Sequence, residues 1–215
     1  MNRVSDRLTQ RRHVIMDKHL DELIVRLPCL DGCKKDIQNA FDYLLACFRA
    51  GNKVLICGNG GSASDAGHWA GELLKGFESK RPLGSGSGLP EGLLGKLQDA
   101  VPVIPLPDFT SLQTAFANDV DAAYSFAQLT WALGKPGDIL VGISTSGNSR
   151  NVSLAMQAAK ARKMTTIGLT GQGGGEVKDL CDCCMCVPET RTCLVQELHL
   201  PVYHTLCLML EDTLF

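Results

Sequence analysis

Ile139-Leu140-Val141-Gly142-Ile143-Ser144-Thr145-Ser146-Gly147-Asn148-Ser149 begins as an apolar run and ends in small hydroxyl residues. An apolar run without alternation reads as a strand buried on both faces, the mark of a parallel sheet. A helical pattern follows from Asn151 to Arg162. An earlier segment repeats the logic: Val54-Leu55-Ile56-Cys57, then Gly58-Asn59-Gly60-Gly61-Ser62, then a helical pattern from Ser64 to Phe77. Gly and Ser let a backbone approach an anion closely, and the N–H groups and dipole at a helix start favour one. Ser144, Thr145, Ser146 and Ser149 add hydroxyls that suit a phosphate monoester. Helix capping alone explains one such turn. Two of them at strand ends in one α/β domain favour a ligand. Neither is a P-loop, and the first turn matches GxGxxG only in its first half.

Working outward, Val101 to Leu106 reads as an edge strand, because its prolines cannot donate to a central ladder. Thr165 to Leu169 and Cys184 to Val187 read as further strands. Helical patterns cover Leu89 to Leu97, Thr110 to Asn118, Ala122 to Leu133 and the C-terminal stretch. Strands alternating with helices predict an α/β fold: three layers, a mostly parallel sheet flanked by helices. Leu20, Leu23, Ile24 and Leu27 recur at helical spacing, as do Ile37, Phe41, Leu44, Leu45 and Phe48. Residues 1–50 are therefore expected to be a helical segment packing on the core or on a neighbouring subunit, with one domain over 51–215.

The chain has 215 residues, 45% hydrophobic and 20% charged, which suits one soluble domain. Its 21 basic and 23 acidic residues leave no positive excess for nucleic acid. No stretch is apolar enough to span a membrane, and the charged start lacks a signal-like apolar run. A cytoplasmic protein with reduced thiols is expected, despite ten cysteines. Cys181, Cys183, Cys184 and Cys186 read as small buried hydrophobes. On a strand Cys184 and Cys186 face one side and Cys183 the other, which fits a tetrahedral ion badly.

His68 and Glu72 are four apart on the helix that leaves the first turn, so they share a face. Gln196, His199 and His204 are polar positions in an otherwise apolar last helix. On the residues alone a surface ion pair and a satisfied, partly buried histidine explain them better than a metal does. Gln196 and His204 lie eight apart, about 12 Å along a helix and roughly 80° around it. They reach one ion only from opposite sides or from different subunits. Pro201 between them removes one backbone hydrogen bond.

Cys57-Gly58-Asn59-Gly60-Gly61-Ser62 and Gly142 to Ser149 together resemble the sugar isomerase (SIS) domain family, in its phosphoheptose isomerase branch. The likeness runs from about residue 35 to the C-terminus. It implies a flavodoxin-like, SIS-type fold, a homotetramer with shared active sites, and interconversion of sedoheptulose 7-phosphate and D-glycero-D-manno-heptose 7-phosphate through an enediol. It implies zinc held by His68, Glu72, Gln196 and His204, with Glu72 as base and His204 as acid. The sugar phosphate would meet Asn59, Gly60, Ser62, Asn118, Asp119, Ser144, Thr145, Ser146, Ser149 and Gln196. The sequence departs from the branch at three places. Lys75-Gly76 stands where an Arg is usual, Cys193 where an Asp is usual, and the loop from Gly84 to Asp99 is longer. A non-catalytic SIS protein that binds a protein partner or a sugar phosphate is the alternative; the protein-binding branch should lack the four zinc and base positions, which are filled here.

Overall fold

Five short apolar runs pair as one sheet in the computed structural model, which describes residues 18–215. They are β1 (Val54–Gly58), β2 (Val103–Pro105), β3 (Ile139–Ser144), β4 (Thr165–Thr170) and β5 (Cys183–Cys186). The order is β2-β1-β3-β4-β5 and every pairing is parallel. β2, the strand with prolines, is at one edge as expected. Part of the expected N-terminal helical segment, residues 1–17, lies outside the described residues.

Side chains alternate across the central strands. Val54, Ile56, Ile139, Val141 and Ile143 enter one core, and Leu55, Cys57 and Leu140 the other. The first core is covered by a helix over 18–26 (α1), α2 (Lys34–Arg49), α3 (Gly61–Leu73) and α9 (Thr192–Leu214). A turn over Pro28–Cys33 joins α1 to α2, which ends at Gly51 with a positive φ. The second core is covered by α6 (Ser125–Leu133), α7 (Arg150–Ala161) and α8 (Gly175–Leu180). The short α4 (Glu91–Leu94) and α5 (Thr110–Asp119) lie outside both sets of buried residues. The layers are therefore helix, sheet, helix.

This strand order has a switch point. From β1 the chain crosses to β2 on one side, and the later strands build out on the other side through β3. A crevice opens at the carboxyl ends of the two strands where the direction reverses, and ligands bind there in open parallel sheets. The two small-residue turns leave β1 and β3, on either side of that crevice.

The third helix is shorter than its apolar pattern suggests: it stops at Leu73, not Phe77. The cause lies far away in sequence. Glu211 of α9 accepts the N–H groups of Phe77, Glu78 and Ser79 at 2.8, 2.9 and 2.9 Å. Amide groups bound to that carboxylate cannot continue the helix. Beyond them the chain makes a long excursion whose ends meet: Asp99 donates its N–H to the carbonyl of Arg81 at 2.7 Å, and Pro82 bridges Gln98. α9 runs unbroken through Pro201. Among the described residues no helix is long and apolar enough to cross a membrane.

Candidate active site

The turn after β3 is held from three directions. Ser144 Oγ and Ser149 Oγ are 2.9 Å apart. Ser146 Oγ accepts the N–H of Asn148 at 3.1 Å. Asn148 Oδ1 accepts the N–H of Glu176 at 3.1 Å, tying the turn to α8. Gly147 sits at φ +68°, and a Cβ there would run into the carbonyl of Gly174. The turn after β1 faces it. Asn59 and Asn151 exchange two amide hydrogen bonds, of 2.9 and 2.8 Å, across the crevice. The topology thus brings Asn59, Gly60, Ser62, Ser144, Thr145, Ser146 and Ser149 to one end of the sheet. Asn151, which locks the two turns, carries no signal of its own in the sequence. Ser62 and Ser144 are buried. Asn118 and Asp119 end α5, exposed and hydrogen-bonded to each other at 2.7 Å.

α3 and α9 lie side by side and run in the same direction. Gln196 is level with Gly61, where a Cβ would overlap its side-chain amide. His204 is level with His68, their rings edge to face with centroids 5.1 Å apart. Glu211 is level with the residues that follow α3. Glu72 Oε1 stands 3.2 Å from His68 Nε2, and Glu72 Oε2 stands 3.0 Å from Lys75 Nζ. Lys75, which stands where the resemblance expects an Arg, is therefore paired with Glu72. Arg81, the next arginine along the chain, does not fill that place. It is buried against Glu211 and donates to the carbonyls of Leu73 and Glu72.

His68 thus stands beside both Glu72 and His204 within one chain, and Gln196 lies away from this pair of contacts. Two turns of α3 separate its partner Gly61 from His68, about 10 Å. Burial is the main reason that His204 is less basic than an ordinary histidine, and His68 adds to it. Its Nε2 is buried with no hydrogen-bond partner, a neutral nitrogen able to accept a metal. Imidazole and carboxylate donors are the types zinc uses. Among the described residues no three His, Cys, Asp or Glu side chains are already gathered around one point as an ion requires. The donor types fit zinc; the full set of four is not assembled by one chain.

His199, one turn before Tyr203, is fully buried, and burial pushes its pKa down from 6.5 to about 4. The folded ring is neutral while the unfolded one charges below about 6.5. Its contribution is thus intact above that pH and is lost as pH falls towards 4. Urea unfolding is expected to show about 3 kcal/mol of stability disappearing across this window, and His199→Gln is expected to flatten it.

All ten cysteines are free thiols. Cys184 and Cys186 share one face of β5, their sulfurs 3.6 Å apart, while Cys183 points into the core. Cys183 is buried as expected; Cys181, Cys184 and Cys186 are half-buried. Burial raises the Cys183 thiol to about 12, and its hydrogen bond with Cys181 raises Cys184 to about 11. Both stay protonated at neutral pH.

The family model for the SIS domain matches residues 29–171, which agrees with the sheet order and the two turns. The chain is 42% identical to the phosphoheptose isomerase of Rhodospirillum rubrum over 86% of this chain and 89% of that one. It is 40% identical to that of Shewanella baltica over 94% and 95%. The structure of phosphoheptose isomerase from Neisseria gonorrhoeae superposes with a TM-score of 0.70 at 31% identity, covering 97% of this chain and 99% of that one. One from Francisella tularensis gives 0.73 at 29% identity, covering 97% and 98%. Within the SIS proteins the chain belongs to the phosphoheptose isomerase family, a family of sugar-phosphate isomerases.

Proposed function

We propose that the protein converts sedoheptulose 7-phosphate to D-glycero-D-manno-heptose 7-phosphate through an enediol, with zinc, in the cytoplasm, as a homotetramer. The carrying observation is that Glu72 and His204 both flank His68, on two helices that both enter from the ligand-binding end of the sheet. Aldose–ketose exchange needs a base that moves a proton between C1 and C2, and an acid at the adjoining oxygen. Glu72 is the base and His204 the acid. The phosphate rests on the turn of Ser144, Thr145, Ser146 and Ser149, with Ser62 and Gly60 opposite. Asn59, Asn118 and Asp119 hold sugar hydroxyls. The roughly 10 Å from the start of α3 to His68 supports this placing. A heptose extended from C1 to a phosphate on C7 spans about 9 Å at ordinary bond lengths.

His68, Glu72 and His204 would hold zinc, which when bound polarises the sugar carbonyl. Gln196 completes the set only from a neighbouring copy, because in its own chain it lies against Gly61. That is the reason for proposing shared sites. The deciding experiment follows isomerisation of sedoheptulose 7-phosphate with and without a chelator. Turnover that is lost with chelator and restored by zinc is expected. Absence of turnover in every state would sink the reading, and turnover indifferent to chelation would remove the metal from it.

A further inference from the structure

Behind His68 lies a polar chain that the proposed chemistry leaves unused. The hydroxyl of Tyr203 is 2.9 Å from His68 Nδ1 and donates to Asp65 Oδ1 at 3.4 Å. Tyr203 is fully buried, stacked on Trp69 with ring centroids 5.5 Å apart. Asp65 and His68 are one turn apart on α3, and Tyr203 arrives from α9. Asp65 Oδ2 is buried and has no hydrogen-bond partner.

The direction of these bonds follows once the one phenol proton goes to the carboxylate, the stronger acceptor. A phenol has one proton to give, and an ionised carboxylate has none. With the phenol proton on Asp65, Tyr203 can only accept from His68. Nδ1 of His68 then carries the hydrogen, and a neutral ring keeps its other nitrogen bare. That nitrogen, Nε2, is the one 3.2 Å from Glu72 Oε1. A lone pair facing a carboxylate oxygen at this distance is repulsive unless a cation lies between them.

We propose that Tyr203 and Asp65 are positioning residues that fix His68 as its Nδ1–H tautomer and thereby aim the Nε2 lone pair, opposite Glu72, at a bound zinc ion. The inference deepens the function proposed above and rests on it for the identity of the metal. It follows the general pattern in which the second nitrogen of a metal-binding histidine is held by a hydrogen-bonded partner. Here a phenol stands between the imidazole and the carboxylate.

The test reads the tautomer directly in metal-free protein. Two-bond ¹H–¹⁵N correlation spectra above neutral pH are expected to place the proton of His68 on Nδ1, the signal being identified by its loss in His68→Gln. Tyr203→Phe keeps the stack on Trp69 and deletes only the hydroxyl. Its His68 is expected to shift towards the Nε2–H form. Its zinc affinity, measured by competition with a chromophoric chelator, is expected to fall about ten-fold or more. Asp65→Asn, which keeps the phenol and the size of the side chain, is expected to shift both readings in the same direction by less. It also serves if Tyr203→Phe does not fold. An Nε2–H ring in the unaltered protein, or an unchanged tautomer in both variants, overturns the proposal. So does unchanged zinc affinity in both. An unaltered protein that keeps Nδ1–H but binds no zinc removes the metal from the proposed function, and the tautomer still reports on Tyr203 and Asp65.

Discussion

Glu72→Gln is expected to lower turnover of sedoheptulose 7-phosphate by about 10³-fold, the middle of the range that a positioned general base supplies. The substitution keeps the shape of the side chain and removes its ability to take a proton. Zinc affinity should weaken as well, because Glu72 is also a proposed ligand, but the structure says why the fold should change little. Glu72 is on the last turn of α3, its neighbours His68 and Lys75 are partly exposed side chains, and no buried charge loses its partner. Melting temperature should stay near that of the unaltered protein. Substrate binding, measured by calorimetry, should survive, because the phosphate turn is built from other residues. Near-normal turnover by this variant would remove Glu72 from the role of base. Strong loss of sugar-phosphate binding would mean that Glu72 acts in recognition instead.

Glu211→Gln is expected to destabilise the fold by about 3–5 kcal/mol, the cost of leaving a buried charge without its partner. Glu211 Oε1 accepts from Phe77 N–H and Arg81 Nε, and Oε2 accepts from Glu78 and Ser79 N–H. An amide has one accepting oxygen, so its NH₂ must face two of these four donors. Burial alone would raise the carboxyl pKa, but the three N–H groups and Arg81 outweigh it and hold the pKa below the ordinary value. The stabilisation is therefore present above about pH 4.5 and lost as pH falls through the lowered pKa. Urea unfolding against pH should show an acid limb that Glu211→Gln lacks. Replacing both partners, with Arg81→Met and Glu211→Leu, should recover only part of the loss, since the three N–H groups stay unpaired. Full recovery would mean that the charges alone matter. Turnover should fall too, because Phe77 packs against the ring of His204, with centroids 5.1 Å apart.

The alternation of apolar runs with helical patterns is enough to predict the parallel sheet, and the small residues after β1 and β3 are enough to mark its ligand-binding end. Such features are local: each run carries its own period and each turn its own glycines. The spacing of His68 and Glu72 is local as well. The rest depends on partners far apart in sequence. Gly76 is a local hint that α3 can stop, but the carboxylate that holds the N–H groups after it belongs to Glu211. Nothing near His68 announces Tyr203. Tyr203 and Trp69 are both readable as ordinary core aromatics, and the hydrogen bond to His68 exists only because α3 and α9 run parallel. The same pairing explains the divided metal set. Two positions eight apart on α9 meet two different levels of α3, which helix spacing raised as a difficulty and the structure makes concrete.

The closure between Arg81 and Asp99 bears on how this protein can diverge. Once the two ends of an excursion are joined, the entropy of the chain between them grows only with the logarithm of its length, about 0.6 kcal/mol for each doubling. Residues can be inserted or removed there at little thermodynamic cost, while α3, β2 and the ion pair of Arg81 keep their places. The excursion between Arg81 and Asp99 is therefore a variable module on a fixed clasp, open to change by descent or by engineering without rebuilding the core.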